Sequence, residues 1–147
     1  FKKLEGNVES ISATDFNNSK INFTIDVNSI DTRVEMRDDH LKSDDFFSVA
    51  KFPTMKLENA VLKGKKEKYT LTGDLTIRDV TKKVTFKVVQ NNGIITDPWG
   101  MTRAGFTATT SINRLDYGIS YADKLPTGVF AVAPEVEITI NVEVVKN

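Results

Sequence analysis

The chain has 147 residues, enough for a single domain with a sizeable core, read here as one unit over residues 1–147. Twenty basic and twenty acidic side chains cancel to a formal charge of zero, which argues against a nucleic-acid protein with a net basic face. There is no cysteine, which excludes disulfides and thiolate chemistry, and no apolar run reaches the roughly 18–20 residues of a membrane-spanning helix.

The first strand-like stretch is Leu4–Asp15. Ile21, Phe23, Ile25 and Val27 then alternate with Asn22, Thr24, Asp26 and Asn28, as a half-buried strand requires. After an interruption, Thr54–Lys63 reads as a strand with a less regular pattern. "KGKKEK" (Lys63–Lys68) is a hairpin tip whose lysines face water. Tyr69, Leu71, Gly73, Leu75 and Ile77 form the next alternating set, and Val84, Phe86 and Val88 the one after, with "RDVTKK" between them. "NNG" (Asn91–Gly93) and "DPWG" (Asp97–Gly100) are turns. Arg103–Asn113 is a strand, and Val136, Ile138, Ile140, Val142 and Val144 alternate through the last one.

The short links predict antiparallel sequential neighbours, hence a β-meander with one apolar face that closes into a barrel or folds into a sandwich. Seven strands are predicted. In an up-and-down meander the first and seventh run the same way and cannot close an antiparallel barrel. Parity therefore predicts another strand, from residues preceding Phe1 in a longer product, from a neighbouring chain, or from a swapped segment such as Thr127–Ala133. Oligomerisation or strand exchange is compatible with that expectation.

The interruption, "SIDTRVEMRDDHLKSDDFF" (Ser29–Phe47), holds six carboxylates, three basic residues and the only histidine, His40. Asp31 or Thr32 can cap a short helix near residues 31–47, with Thr32 and Glu35 at capping-box spacing. Ser43 can cap a second turn carrying Asp44 and Asp45. Phe46, Phe47, Val49 and Phe52 are candidate anchors, and Pro53 ends the excursion. A catalytic pair would set Asp38 or Asp44 beside His40, but no nucleophile motif such as G-x-S-x-G accompanies it. One histidine and no cysteine make a poor zinc set, and "DDHLKSDD" lacks the alternation and central glycine of a calcium loop. Asp38, His40, Asp44 and Asp45 are therefore expected to bind no metal and do no chemistry. Ser111, Asn113, Arg114 and Asp116 could form a polar site; the preferred reading is an Arg–Asp pair closing a barrel rim.

"SIDT" followed by "RDDHLKSDDFFSVAKFPTM", then "LTGDLTIRDVTKKVTF", "RAGFTATTSINRLDYGI" and "PEVEITINVEVVK", in this order and spacing, resemble the YceI-like family of bacterial polyisoprenoid-binding proteins. The resemblance runs from about Gly6 to the C-terminus. It implies an all-β, up-and-down antiparallel lipocalin-like barrel of eight strands, a helical excursion over Ser29–Pro53, a long isoprenoid inside, and export to the periplasm or beyond. The family's opening strand carries an aromatic, an Asp and a His-Ser pair before a Gly; here only the continuation "KKLEGNV" is present, so the resemblance leads to the expectation that the N-terminal strand of the family barrel is missing from residues 1–147. Asp79 precedes Val80-Thr81 where the family has Gly, and Pro134 stands where an acidic or amide residue is common.

Alternation predicts that Phe23, Ile25, Leu71, Leu75, Phe86, Val88, Phe106, Ile138 and Ile140 point inward, and the resemblance implies that they are ligand-binding residues; Gly73, Ala104, Gly105 and Ala108 either leave room for a ligand or accommodate barrel curvature. The expected function is lipid binding and transport, as carrier, buffer or sensor of an isoprenoid or similar amphipathic molecule, with no catalysis, no cofactor and no metal. The alternatives are a barrel-type enzyme using His40 and nearby carboxylates, and a packed structural or stress-related module without ligand.

Overall fold

A computed structural model describes residues 1–10, 15–91, 93–121 and 132–146. The elements are β1 (Leu4–Glu9), β2 (Ser19–Asp26), α1 (Glu35–Lys42), β3 (Thr54–Lys65), β4 (Lys68–Ile77), β5 (Val80–Gln90), β6 (Ile95–Thr96), β7 (Thr102–Asn113) and β8 (Glu135–Val145). They form one curled antiparallel sheet in the order β1-β2-β3-β4-β5-β7, with β8 on the free side of β7. The two-residue β6, which the alternation did not reveal, pairs with the start of β7 on the side that β5 occupies further along. The seven longer strands are those expected. The end of the first stretch, residues 11–14, and most of Thr127–Ala133 lie outside the described residues.

The inward rows follow from register. Leu62 lies opposite Leu71, and Leu71 opposite Phe86. Tyr69, Val88, Ala108 and Ile140 form a second row across four strands. β3 owes its irregular pattern to a bulge: Asn59, at φ +53°, adds a residue between the pairs Glu58–Asp74 and Val61–Thr72. Leu57 and Ala60, three apart, thereby both face inward, at 0 % and 2 % exposure.

Among the described residues, β1 pairs only with β2 and β8 only with β7. The sheet thus has two edges, and the strands that hold them run parallel, as parity requires. Among the described residues, a seam separates these two edges.

One end of the sheet, the lower end here, is covered by the excursion. It comprises a 3-10 turn at Val27–Ser29, α1, and the turns around Phe46 and Ser48. Val27 and Phe46 are buried, and Phe47 and Val49 pack against the core. The expected capping box is replaced. Val34 is the N-cap and offers no side-chain acceptor, while Thr32 donates through its amide and hydroxyl to the Asp38 carboxylate, at 2.8 and 2.5 Å. Arg37 locks this by donating to the Thr32 hydroxyl and carbonyl. The left-handed Arg33 (φ +64°) turns the chain so that Thr32 meets the side of α1 instead of its amide end.

Candidate ligand-binding face

The concave face gathers the apolar core of the described residues. Leu71, Leu75, Phe86, Val88 and Phe106, all 7 % exposed or less, are in its core. Phe23, Ile25, Ile138 and Ile140 are half-buried and pack against that core. The five buried residues belong to β4, β5 and β7; the four half-buried ones belong to β2, next to the edge strand β1, and to β8, itself an edge. Val142 and Val144 extend the half-buried row on β8. Leu57, Leu62 and Tyr69 also belong to the face, and the bulge hid the first two from simple alternation.

The small residues do different jobs. Ala104 and Ala108 are inward and buried. Gly105 faces the convex side instead, where the nearest atom to a Cβ would be the Asn91 amide nitrogen at 3.9 Å. Gly73 faces inward but leaves no room: a Cβ there would sit 2.5 Å from the Ala60 Cβ. The bulge pushes Ala60 into the space that the glycine vacates.

The lower end is sealed by polar ties. Arg114, 4 % exposed, donates to the carbonyls of Ile119 (2.7 Å), Val132 (2.9 Å) and Ala133 (3.0 Å). The expected Arg–Asp rim pair is absent among the described ion pairs; Asp116 is exposed and the guanidinium is satisfied by backbone. Arg78, in the β4–β5 turn, donates to the carbonyls of Phe46 and Gly118 and lies over the Phe52 ring. Burial pushes the Tyr117 phenol above its ordinary range, with Asp116 adding to the rise.

At the opposite, upper end a few of the described residues reach over the face. Phe16 meets Phe106 edge-on at 5.1 Å between centroids, and the Ser19 hydroxyl donates to the Phe16 carbonyl. Tyr69 and Gln90 lie beneath a cavity of about 380 Å³, which Asp15, Lys65, Lys66, Glu67, Gly93 and Ile94 also line. Burial raises the Tyr69 phenol above its usual value, and the Asp15 carboxylate reinforces this, so it stays protonated at neutral pH.

His40 pairs with Asp45, 2.9 Å away, and not with Asp38 or Asp44. Its ring meets Phe46 and Tyr121 edge-on, at 5.0 and 5.2 Å. Asp38 receives Thr32, and Asp44 accepts from the Ser48 hydroxyl, which holds its carboxyl below the usual range with help from Lys51. Ser43 caps α1 at its C-terminus, its amide and hydroxyl both donating to the His40 carbonyl, and also accepts from the Asp45 amide. Each acidic group of this set thus has a structural partner. Among the described residues no cluster of three or more His, Cys, Asp or Glu side chains is arranged to hold a metal ion.

A curled antiparallel β-sheet with an apolar concave face, covered at one end by a helical excursion, defines a YceI-type barrel fold. The chain belongs to the YceI-like domain family, which matches residues 1–144. It is 40 % identical over 147 residues to a UPF0312 protein of Pseudomonas putida (strain W619), covering 99 % of this chain and 72 % of that one. Protein YceI of Salmonella arizonae is 40 % identical over 124 residues, or 84 % of this chain and 61 % of the relative. Among solved structures, the YceI protein of Campylobacter jejuni superposes with a TM-score of 0.80 at 28 % identity, over 100 % of this chain and 83 % of that one. BcnA of Burkholderia cenocepacia gives 0.78 at 25 % identity, over 98 % and 85 %.

Proposed function

We propose that the chain binds a long isoprenoid or similar amphipathic lipid along its concave face, as a carrier, buffer or sensor and without catalysis, in the periplasm or outside the cell. The observation that carries this is the continuous apolar concave face, on which half-buried Phe23, Ile25, Ile138 and Ile140 extend the buried core of Leu71, Leu75, Phe86, Val88 and Phe106. A hydrocarbon laid along Phe23, Ile25, Ile138, Ile140 and Val142 would complete their burial, at about 0.8 kcal/mol per methylene removed from water. Such binding needs no charged contact, and family membership supports it. His40 does not favour an enzyme, because its partners are Asp45 and two aromatic rings.

One observation favours the packed-module reading: the Gly73 space is filled by Ala60. Displacement of a fluorescent polyene fatty acid separates the two. An isoprenoid alcohol should displace the probe from the wild-type chain. Ile140→Asp, at a half-buried position, should weaken probe binding by about tenfold or more, the cost of setting a charge against hydrocarbon. No probe binding by the wild-type chain would support the packed module.

A further inference from the structure

Trp99, the only tryptophan, is 82 % exposed at the tip of the β6–β7 hairpin. Ile95 is 50 % exposed and Met101 41 %, on the same hairpin. The tip is a built structure. The Asp97 amide donates to the Met101 carbonyl at 2.8 Å, and the Gly100 amide to the Asp97 carbonyl at 3.0 Å. The Asp97 carboxylate accepts from the amides of Trp99 and Met101, both at 2.9 Å, and from Arg103 Nε on its other oxygen. Gly100 sits at φ +80°, a conformation that side chains rarely adopt. This frame holds the backbone under the indole in place, with the ring turned to water.

The same end carries a lysine-rich hairpin. Lys63, Lys65, Lys66 and Lys68 are all exposed, with Glu67 the one acidic residue of the hairpin and Asp15 lining the same cavity as Lys65 and Lys66. The Gln90 amide donates to the Glu67 carbonyl, which ties the lysine hairpin to the end of β5. Lys65 and Lys66 share the upper cavity with Gly93 and Ile94, and Gly93 and Ile95 line a second cavity of about 360 Å³ together with Arg103 and Glu143. The lysines and the tryptophan hairpin are therefore joined through residues 93–95. The excursion at the opposite end holds six carboxylates against three basic residues, so the lysine hairpin and the excursion differ in the sign of their local charge.

We propose that the upper end docks on the surface of an anionic lipid bilayer, with Trp99 inserted at the headgroup level and the lysine hairpin resting on the charged surface. A protruding indole flanked by Ile95 and Met101 suits a medium that yields around it, and tryptophan favours the region between headgroups and chains. Each lysine near an anionic surface contributes about fivefold in affinity. The barrel axis then stands across the bilayer surface with its upper end downward. This docking does not depend on what occupies the interior.

Flotation with vesicles of phosphatidylcholine, with and without phosphatidylglycerol, tests it, alongside the emission of the single tryptophan. The wild-type chain should float with the anionic vesicles only, and its emission should shift to the blue. Trp99→Ala, at an exposed position, should keep its melting temperature and lose about tenfold or more in binding. Lys65→Gln with Lys66→Gln should lose roughly thirtyfold. Failure of the wild type to float, equal binding to neutral vesicles, or undiminished binding of Trp99→Ala would each overturn the proposal. So would a dimer, seen by light scattering without vesicles, that Trp99→Ala dissolves, because the patch would then belong to a second copy.

Discussion

Replacing Gly73 by alanine asks whether the small residues of the concave face make space or permit packing. Gly73 is not at positive φ, so the substitution meets no backbone penalty and its effect is steric. The new methyl would lie 2.5 Å from the Ala60 Cβ, 2.8 Å from the Ala60 Cα and 3.1 Å from the Glu58 carbonyl oxygen. Carbon atoms that touch without bonding sit about 3.5–4.0 Å apart, so β3 and β4 must separate locally by about 1 Å. The flanking pairs Leu57–Leu75 and Leu62–Leu71, all buried, resist that movement. Overpacking of this kind costs about 1–3 kcal/mol, against a gain of about 0.4–1 kcal/mol from a stiffer unfolded chain. The expected net loss is about 1–2 kcal/mol, read from urea unfolding as a lower midpoint with an unchanged slope. Ala60→Gly alone should cost about 1–2 kcal/mol, from the lost methyl and the freer chain. The double variant should be less destabilised than the sum of the two. Rescue should be incomplete, because the backbone at position 60 still crowds the new methyl. A neutral or stabilising Gly73→Ala would mean that the site has free volume and that its small residues make space.

Arg114→Met removes the donor for three carbonyls that close the lower end and should cost about 3 kcal/mol or more by thermal or chemical unfolding; a loss below about 1 kcal/mol would show that water replaces the guanidinium. His40→Ala should change stability by no more than about 1 kcal/mol, since its bond to Asp45 is at the surface. The Asp97 carboxyl is held below its ordinary value of 3.8, first by the Arg103 hydrogen bond. A lowered folded-state pKa contributes stability above the unfolded value that is lost as pH falls through the folded one. The emission of Trp99 in the free chain should therefore hold steady from neutral pH down to about 4 and change only below it; a transition near pH 5–6 would contradict this.

The strands were legible because one face of the sheet is buried and the other wet, and that asymmetry writes a period of two into residues such as Tyr69–Ile77 and Val136–Val144. The seam was legible through parity, a property of strand number alone. The bulge at Asn59 was not, because a left-handed asparagine looks like any polar residue in a strand. Thr32 and Glu35 fit a capping box by spacing, yet the turn at Arg33 hands Thr32 to Asp38; spacing cannot report the direction of the chain entering a helix. The partners of Arg114 include carbonyls from Val132 and Ala133, which local sequence cannot assign. The half-burial of Phe23, Ile25, Ile138 and Ile140 appeared only once β2 was placed next to the edge strand β1 and β8 at the other edge.

The central claim is that the concave face holds a long apolar chain. Protein produced in a bacterial host and purified without detergent, extracted with organic solvent and analysed by mass spectrometry, tests it most directly. The expected extract holds a long-chain isoprenoid or related lipid at close to one per chain, depleted in the Ile140→Asp variant. An extract holding no such molecule, from a folded protein that takes up none when isoprenoid is offered, would contradict the claim.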